Sequence, residues 1–191
     1  MNVLHPKCVP DTVRAENPAV PHTGGMRQNL TPVIPLPGQE SVWDYPRPPR
    51  VEPRSERVVV RLGGQVIADT TDAVRVLETS HPPVYYLPMS SFDAGVLTPG
   101  RGVTWCEFKG KASYVDLSAG DRTVQRGGWH YPRPQEGFEQ LVGMVALYPG
   151  LMDSCQVGDE EVVPQEGGFY GGWVTSNIVG PFKGGPGTMG W

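Results

Sequence analysis

The sequence predicts an all-β protein: one antiparallel domain, with one or two short helices and long irregular extensions at both ends. Three observations carry this. Short runs rich in β-branched and aromatic residues recur from about residue 57 to 148, each bounded by Gly, Pro, Asp or Ser turn signals. Val142 to Tyr148 alternates, with Val142, Met144, Ala146 and Tyr148 set against Gly143, Val145 and Leu147, the period of a strand. Finally, 25 Gly and 21 Pro in 191 residues leave little room for long helices. Five Trp, seven Tyr and five Phe nevertheless mark a chain with a core to build rather than a disordered one.

The elements follow in order. Residues 1–40 carry Pro6, Pro10, Pro18, Pro21, Pro32, Pro35 and Pro37 without a sustained period, so regular structure is not expected there. The core domain is expected over 41–160. Arg57 to Leu62 reads as a strand, Gly63-Gly64 as a hairpin turn, and Gln65 to Thr70 as the returning strand. Thr71-Asp72 turns again into Ala73 to Glu78, so these three runs read as a meander. His81-Pro82-Pro83 forces extended chain into Val84 to Pro88. Ser90 to Asp93 reads as the cap of a short helical turn reaching Leu97. Strands are expected at 103–107 and 111–117, and another up to about 126. Gln135 to Leu141 reads as one and a half turns of helix. Residues 161–191 form a Gly- and aromatic-rich segment whose Trp173 and Phe182 should lie on the core, because five aromatics from 167 to 191 are costly in water.

Net charge is −4 and the pI about 5.5, which implies no basic surface for nucleic acid or anionic lipid. No apolar run approaches a membrane span. The opening Met1 to Cys8 lacks a signal-peptide apolar stretch, and Cys8, Cys106 and Cys155 form no C-x-x-C pair. A cytoplasmic protein without metal or cofactor is the resulting expectation. The partner expected is a small-molecule ligand, and the oligomeric state is left open.

Chemistry is expected at Thr104 to Tyr114. Trp105 and Phe108 supply apolar area there. Cys106 and Lys109 place a thiol and an ammonium three residues apart, a spacing at which a cation can favour the thiolate if a turn or bulge brings them together. A second signal is an echo. Trp43-Asp-Tyr-Pro-Arg-Pro48 and Trp129-His-Tyr-Pro-Arg-Pro134 agree at five of six positions. Either both segments are proline-stiffened aromatic caps on one core, or Arg47 and Arg133 grip an anion at one site.

Four blocks carry a family resemblance. They are Gly64-x-Val66-Ile67-Ala68 with Glu78; Tyr86-Leu87-Pro88; Cys106-Glu-Phe-Lys109-Gly110-x-Ala112-x-Tyr114; and Trp129-x-Tyr131-Pro132 followed by Gly143-x-Val145-Ala146. Over roughly 58–150 the chain resembles the domain of unknown function 427 family, with Phe108 where the family has tryptophan and Gly128 where it has alanine. The resemblance implies a β-tent-like fold, two small antiparallel sheets meeting over a pocket. Some β-tent proteins hold zinc through paired C-x-x-C motifs, which this chain lacks. The family is also labelled nucleotidyltransferase-like, but that chemistry uses a Gly-Ser loop and an Asp-x-Asp pair, and neither occurs here.

The candidate catalytic residues are therefore Glu78, Cys106 and Lys109. The candidate ligand-binding residues are Arg47, Tyr86, Tyr114, Trp129, His130, Tyr131 and Arg133. Two function classes fit. One is an enzyme acting on a small organic molecule: Glu78 or a histidine moves protons, Lys109 holds or polarises an anionic group, and His81 or His130 serves as base to Cys106. The other is a binding module that holds a ligand or peptide without turnover.

Overall fold

The computed structural model describes residues 31–188 and 191. The expectations for Cys8 and most of the N-terminal extension lie outside that range. The strands in chain order are β1 (Glu40–Ser41), β2 (Arg50–Arg54), β3 (Val58–Leu62), β4 (Gln65–Thr70), β5 (Ala73–Leu77), β6 (Val84–Pro88), β7 (Leu97–Cys106), β8 (Gly110–Ala119), β9 (Arg122–His130), β10 (Met144–Leu147), β11 (Ser154–Val157), β12 (Glu160–Glu161), β13 (Val163–Pro164), β14 (Trp173–Val174) and β15 (Ile178–Val179). The fold is all-β. The two expected helices are single 3₁₀ turns, Met89–Ser91 and Glu139–Leu141. Pro88 stands at the N-cap of the first, where it offers no side-chain acceptor.

Seven strands form one antiparallel sheet, in the order β2-β5-β6-β10-β9-β8-β7, and four form another, β12-β11-β3-β4. The expected three-strand meander is thereby corrected. β3 and β4 do pair through the Gly63-Gly64 turn, but β5 leaves for the larger sheet, between β2 and β6. Its burial explains the departure: Ala73, Arg75, Val76 and Leu77 are all buried, as suits an interior strand covered on both faces.

The larger sheet sends alternate side chains to opposite faces. On one face Tyr85, Leu87, Val115, Leu117, Val145 and Leu147 meet Val58, Val60, Leu62 and Ile67 of the smaller sheet, forming the main core. Trp173 completes it. Its indole is fully buried, stacks on Tyr85 with centroids 5.0 Å apart, and donates to the Leu147 carbonyl. Ile178 and Phe182 join Val42, Tyr45 and Leu77 in a smaller cluster where β15 pairs with β1. The C-terminal segment thus packs through both aromatics expected to anchor it. Arg75, buried, binds Glu40 and Glu52 and ties β1 to the edge of the sheet.

Three strands exceed their sequence signals for physical reasons. β2 contains Pro53, tolerated because β2 is an edge. β7, the other edge, runs back through Pro99 with a register shift between Pro99 and Val103. β9 continues through Gly127 and Gly128, of which Gly127 leaves room for the Leu117 and Val124 side chains and Gly128 lets the strand approach β10. A Cβ at Gly128 would lie 2.5 Å from the Ala146 carbonyl oxygen.

Candidate functional site

The second face of the seven-stranded sheet holds most of the sequence-selected residues. The registers align Val74 with Tyr86, Tyr86 with Ala146, Ala146 with Trp129, and Trp129 with Tyr114. Directly paired residues share a face, so Tyr86, Trp129 and Tyr114 form one row across β6, β9 and β8. Tyr131 and Cys106 pack in the same apolar cluster, which the loop residues Phe138 and Leu141 cover. Trp129 Nε1 donates to the Tyr86 hydroxyl at 3.2 Å, and Tyr86 also hydrogen-bonds Tyr131. Burial raises the Tyr86 phenol well above its ordinary range, so it works as a neutral hydroxyl. Tyr148 extends the row, its ring 4.7 Å from Trp129 and its hydroxyl bonded to that of Tyr114. The Arg126 guanidinium caps the Tyr114 ring at 4.0 Å.

Charge collects at one end of this face, around the β7–β8 turn at 107–109. Lys109 Nζ lies 3.9 Å from Glu78 Oε2, and Arg47 Nη1 lies 3.5 Å from Glu78 Oε1. Arg47 Nη2 also binds Glu107 at 2.6 Å, and its guanidinium sits 5.3 Å from the centre of the Phe108 ring. Glu78 stands one residue past the end of β5, where the sequence reading places the strand's last residue, and bridges the two cations. The Lys109 side chain is only 10% exposed and its ammonium is 5.9 Å from the centre of the Phe138 ring. Among the described residues no hydrogen bond engages Nζ, so a group with three donors has a single anionic neighbour at the outer limit of ion pairing.

His81 stands beside this group. It follows Glu78 through a turn in which the His81 amide donates to the Glu78 carbonyl. Its Nδ1 lies 2.9 Å from the Thr79 carbonyl oxygen. A carbonyl only accepts, so Nδ1 carries the proton and Nε2 of the neutral ring is left as the base. Burial lowers the His81 pKa. The Glu78 carboxylate and the Thr79 carbonyl oppose that shift, while Lys183 and Arg47 reinforce it.

Two candidates take no described part in these contacts. His130 pairs with Ser113, in register with Val103, on the opposite face from Trp129. Strand alternation turns it away from Cys106 and from the aromatic row. Arg133 is exposed and makes no ion pair among the described residues. Both echo segments nevertheless reach the same turn: Arg47 through its guanidinium, and the second segment through the residue that follows it, Gln135, whose amide donates to the Lys109 carbonyl at 3.2 Å. The ion pair of Lys109 is with Glu78, and Cys106 is half-buried against the aromatic cluster. Glu107, Phe138 and Tyr148 were missed. Glu107 sits inside the Cys106-to-Tyr114 block, and Tyr148 continues the Met144–Ala146 alternation, so both had a signal; Phe138 lies in a loop and had none.

A family profile described as a domain of unknown function (DUF427) matches residues 50–158. The chain belongs to the DUF427 family. The matched span runs from β2 through β11 and contains Glu78, Tyr86, Cys106, Lys109, Tyr114, Trp129 and Tyr131. Arg47 lies outside it, so this DUF427 domain completes its charged cluster with a residue from the N-terminal flank. No curated protein matches the chain.

Proposed function

We propose that this DUF427 protein binds a small organic anion, with Lys109 holding the anionic group and the half-buried Phe108 ring, which packs against the aromatic cluster, giving the ligand's apolar body a surface. The carrying observation is Lys109, whose side chain is nine-tenths buried and whose ammonium has one carboxylate, at 3.9 Å. Packing fixes its stem while its donors stay open, so an incoming anionic oxygen meets a positioned cation. Arg47, half-exposed and already oriented by Glu78 and Glu107, supplies a second cation at the rim. The test is thermal unfolding with benzoate, phenyl phosphate and acetate. Benzoate or phenyl phosphate should raise Tm in a concentration-dependent way, acetate should do less, and Lys109→Met should abolish the effect. Equal shifts in both proteins, or none in the wild type, contradict the proposal.

A catalytic reading of the same site has one observation in its favour, the His81 tautomer. With Nδ1–H fixed on the Thr79 carbonyl, Nε2 is prepared to accept a proton near Glu78. In that reading His81 takes a proton from a ligand whose negative charge Lys109 stabilises. His81→Asn should then remove turnover of a bound anion while leaving its binding intact. Turnover unchanged by that substitution rules the role out.

A further inference from the structure

The β7–β8 turn that carries Lys109 is held by a residue from another part of the chain. Gln135 follows the second echo segment and is solvent-exposed. Its backbone amide donates to the Lys109 carbonyl at 3.2 Å. Its side-chain amide faces the two preceding carbonyls. A carbonyl only accepts, so the amide nitrogen is turned toward both, donating to Glu107 at 3.2 Å and to Phe108 at 2.8 Å. Three consecutive carbonyls of the turn thus bind one residue. Gly110 permits the approach: its φ is +88°, and a Cβ there would lie 3.2 Å from Gln135 Cγ. The Gln135 carbonyl in turn accepts from the Phe138 amide at 3.1 Å, and the Phe138 ring centre lies 5.9 Å from Lys109 Nζ.

Resting on the anion-binding reading of Lys109, we propose that Gln135 is the positioning residue of that site. It clamps the turn at 107–109 on one side and Phe138 on the other, and so fixes where the Lys109 ammonium stands. The ion pair does not do this by itself. Glu78 lies 3.9 Å from Nζ, beyond hydrogen-bond distance, and holds the ammonium only loosely. Arg47 reaches the turn through the Glu107 carboxylate and the Phe108 ring, which are side-chain contacts. Gln135 binds the backbone that carries Lys109. Because Gln135 is exposed, replacing it leaves the core in place, and the effect falls on the ammonium rather than on the fold. An anion that must order a loosened lysine binds about five- to tenfold more weakly.

Two measurements on the full chain test this in the wild type, Gln135→Met and Gln135→Asn. Met keeps the stem and removes the side-chain donors, whereas Asn keeps the amide one methylene short of the carbonyls. Both variants should retain the wild-type circular dichroism spectrum. The chain has four lysines, so isotope labelling of lysine gives few ε-methylene signals in an NMR spectrum, and Lys109 is assigned by its loss in Lys109→Met. In the wild type the Phe138 ring should displace that signal from the position of the exposed Lys111. In both variants it should move onto the Lys111 position while the Lys183 signal stays, a change that a merely stabilising role for Gln135 would not cause. Calorimetric titration with phenyl phosphate, well below Tm, should show Kd raised about five- to tenfold in both. A Lys109 signal unmoved in both variants overturns the proposal, whatever happens to the anion. So does a moved signal with wild-type affinity. If the wild type itself binds no phenyl phosphate, the anion-binding reading fails, and the Lys109 signal still decides whether Gln135 sets the ammonium's place.

Discussion

Replacing Lys109 by Met separates a ligand-binding ammonium from a structural ion pair. Removing an ammonium from water costs several kcal/mol even after relaxation. Glu78 at 3.9 Å supplies roughly 4 kcal/mol of attraction at an effective dielectric of about 20. The two terms nearly cancel, and no hydrogen bond tips the balance. Arg47, 3.5 Å from the other Glu78 oxygen, continues to neutralise that carboxylate in the variant. Met keeps an apolar stem of similar length against the Phe138 cluster. Lys109→Met should therefore change the unfolding free energy by no more than about 1 kcal/mol, in either direction. Urea unfolding followed by tryptophan fluorescence measures this. If the pair were there to hold the fold, breaking it would cost about 3–5 kcal/mol. A loss of that size refutes the reasoning.

Other consequences follow from the same contacts. Glu78→Gln leaves the Lys109 ammonium without its carboxylate and should cost about 1–3 kcal/mol in urea unfolding, most of it recovered in the Glu78→Gln/Lys109→Met double variant. The folded-state pKa of His81 is depressed, so the unfolded chain binds the extra proton first as pH falls below the ordinary histidine value; Tm should drop on acidification from neutral pH, and His81→Asn should flatten that drop. Cys155 is buried and its thiol is pushed up to about 12, whereas Cys106 is half-exposed, so iodoacetamide should label Cys106 far faster. Gly128→Ala restores the residue the family resemblance implies, yet its Cβ meets the Ala146 carbonyl oxygen at 2.5 Å; thermal unfolding should show a loss of about 1–3 kcal/mol.

Much of the fold was legible because its signals are local. The Gly63-Gly64 turn, the Val84–Pro88 run and the Val142–Tyr148 alternation each announce a strand or hairpin without reference to the rest of the chain. β2 and the start of β7 were hidden because Pro53 and Pro99 are tolerated only at sheet edges, and edge position is a tertiary property. The meander misread has a similar source. Residues 71–72 turn the chain whether it returns to its own sheet or crosses to another, and only the burial of β5 on both faces decides. At the site, Tyr86, Trp129 and Tyr114 could be chosen by residue type, but their common row depends on registers that join β6, β10, β9 and β8. Glu78, Lys109 and Arg47 were each named, although no spacing in the sequence shows that Glu78 would stand between the two cations. His130 shows the opposite error. It sits inside a conspicuous hexapeptide, yet a single step along β9 from Trp129 turns it to the other face.

The most direct test of the central claim is a crystal structure of the protein soaked with phenyl phosphate or benzoate. The account expects an anionic oxygen within about 2.7–3.2 Å of Lys109 Nζ, with the ring against Phe108. An anion bound elsewhere, with Lys109 still facing only Glu78, would contradict it.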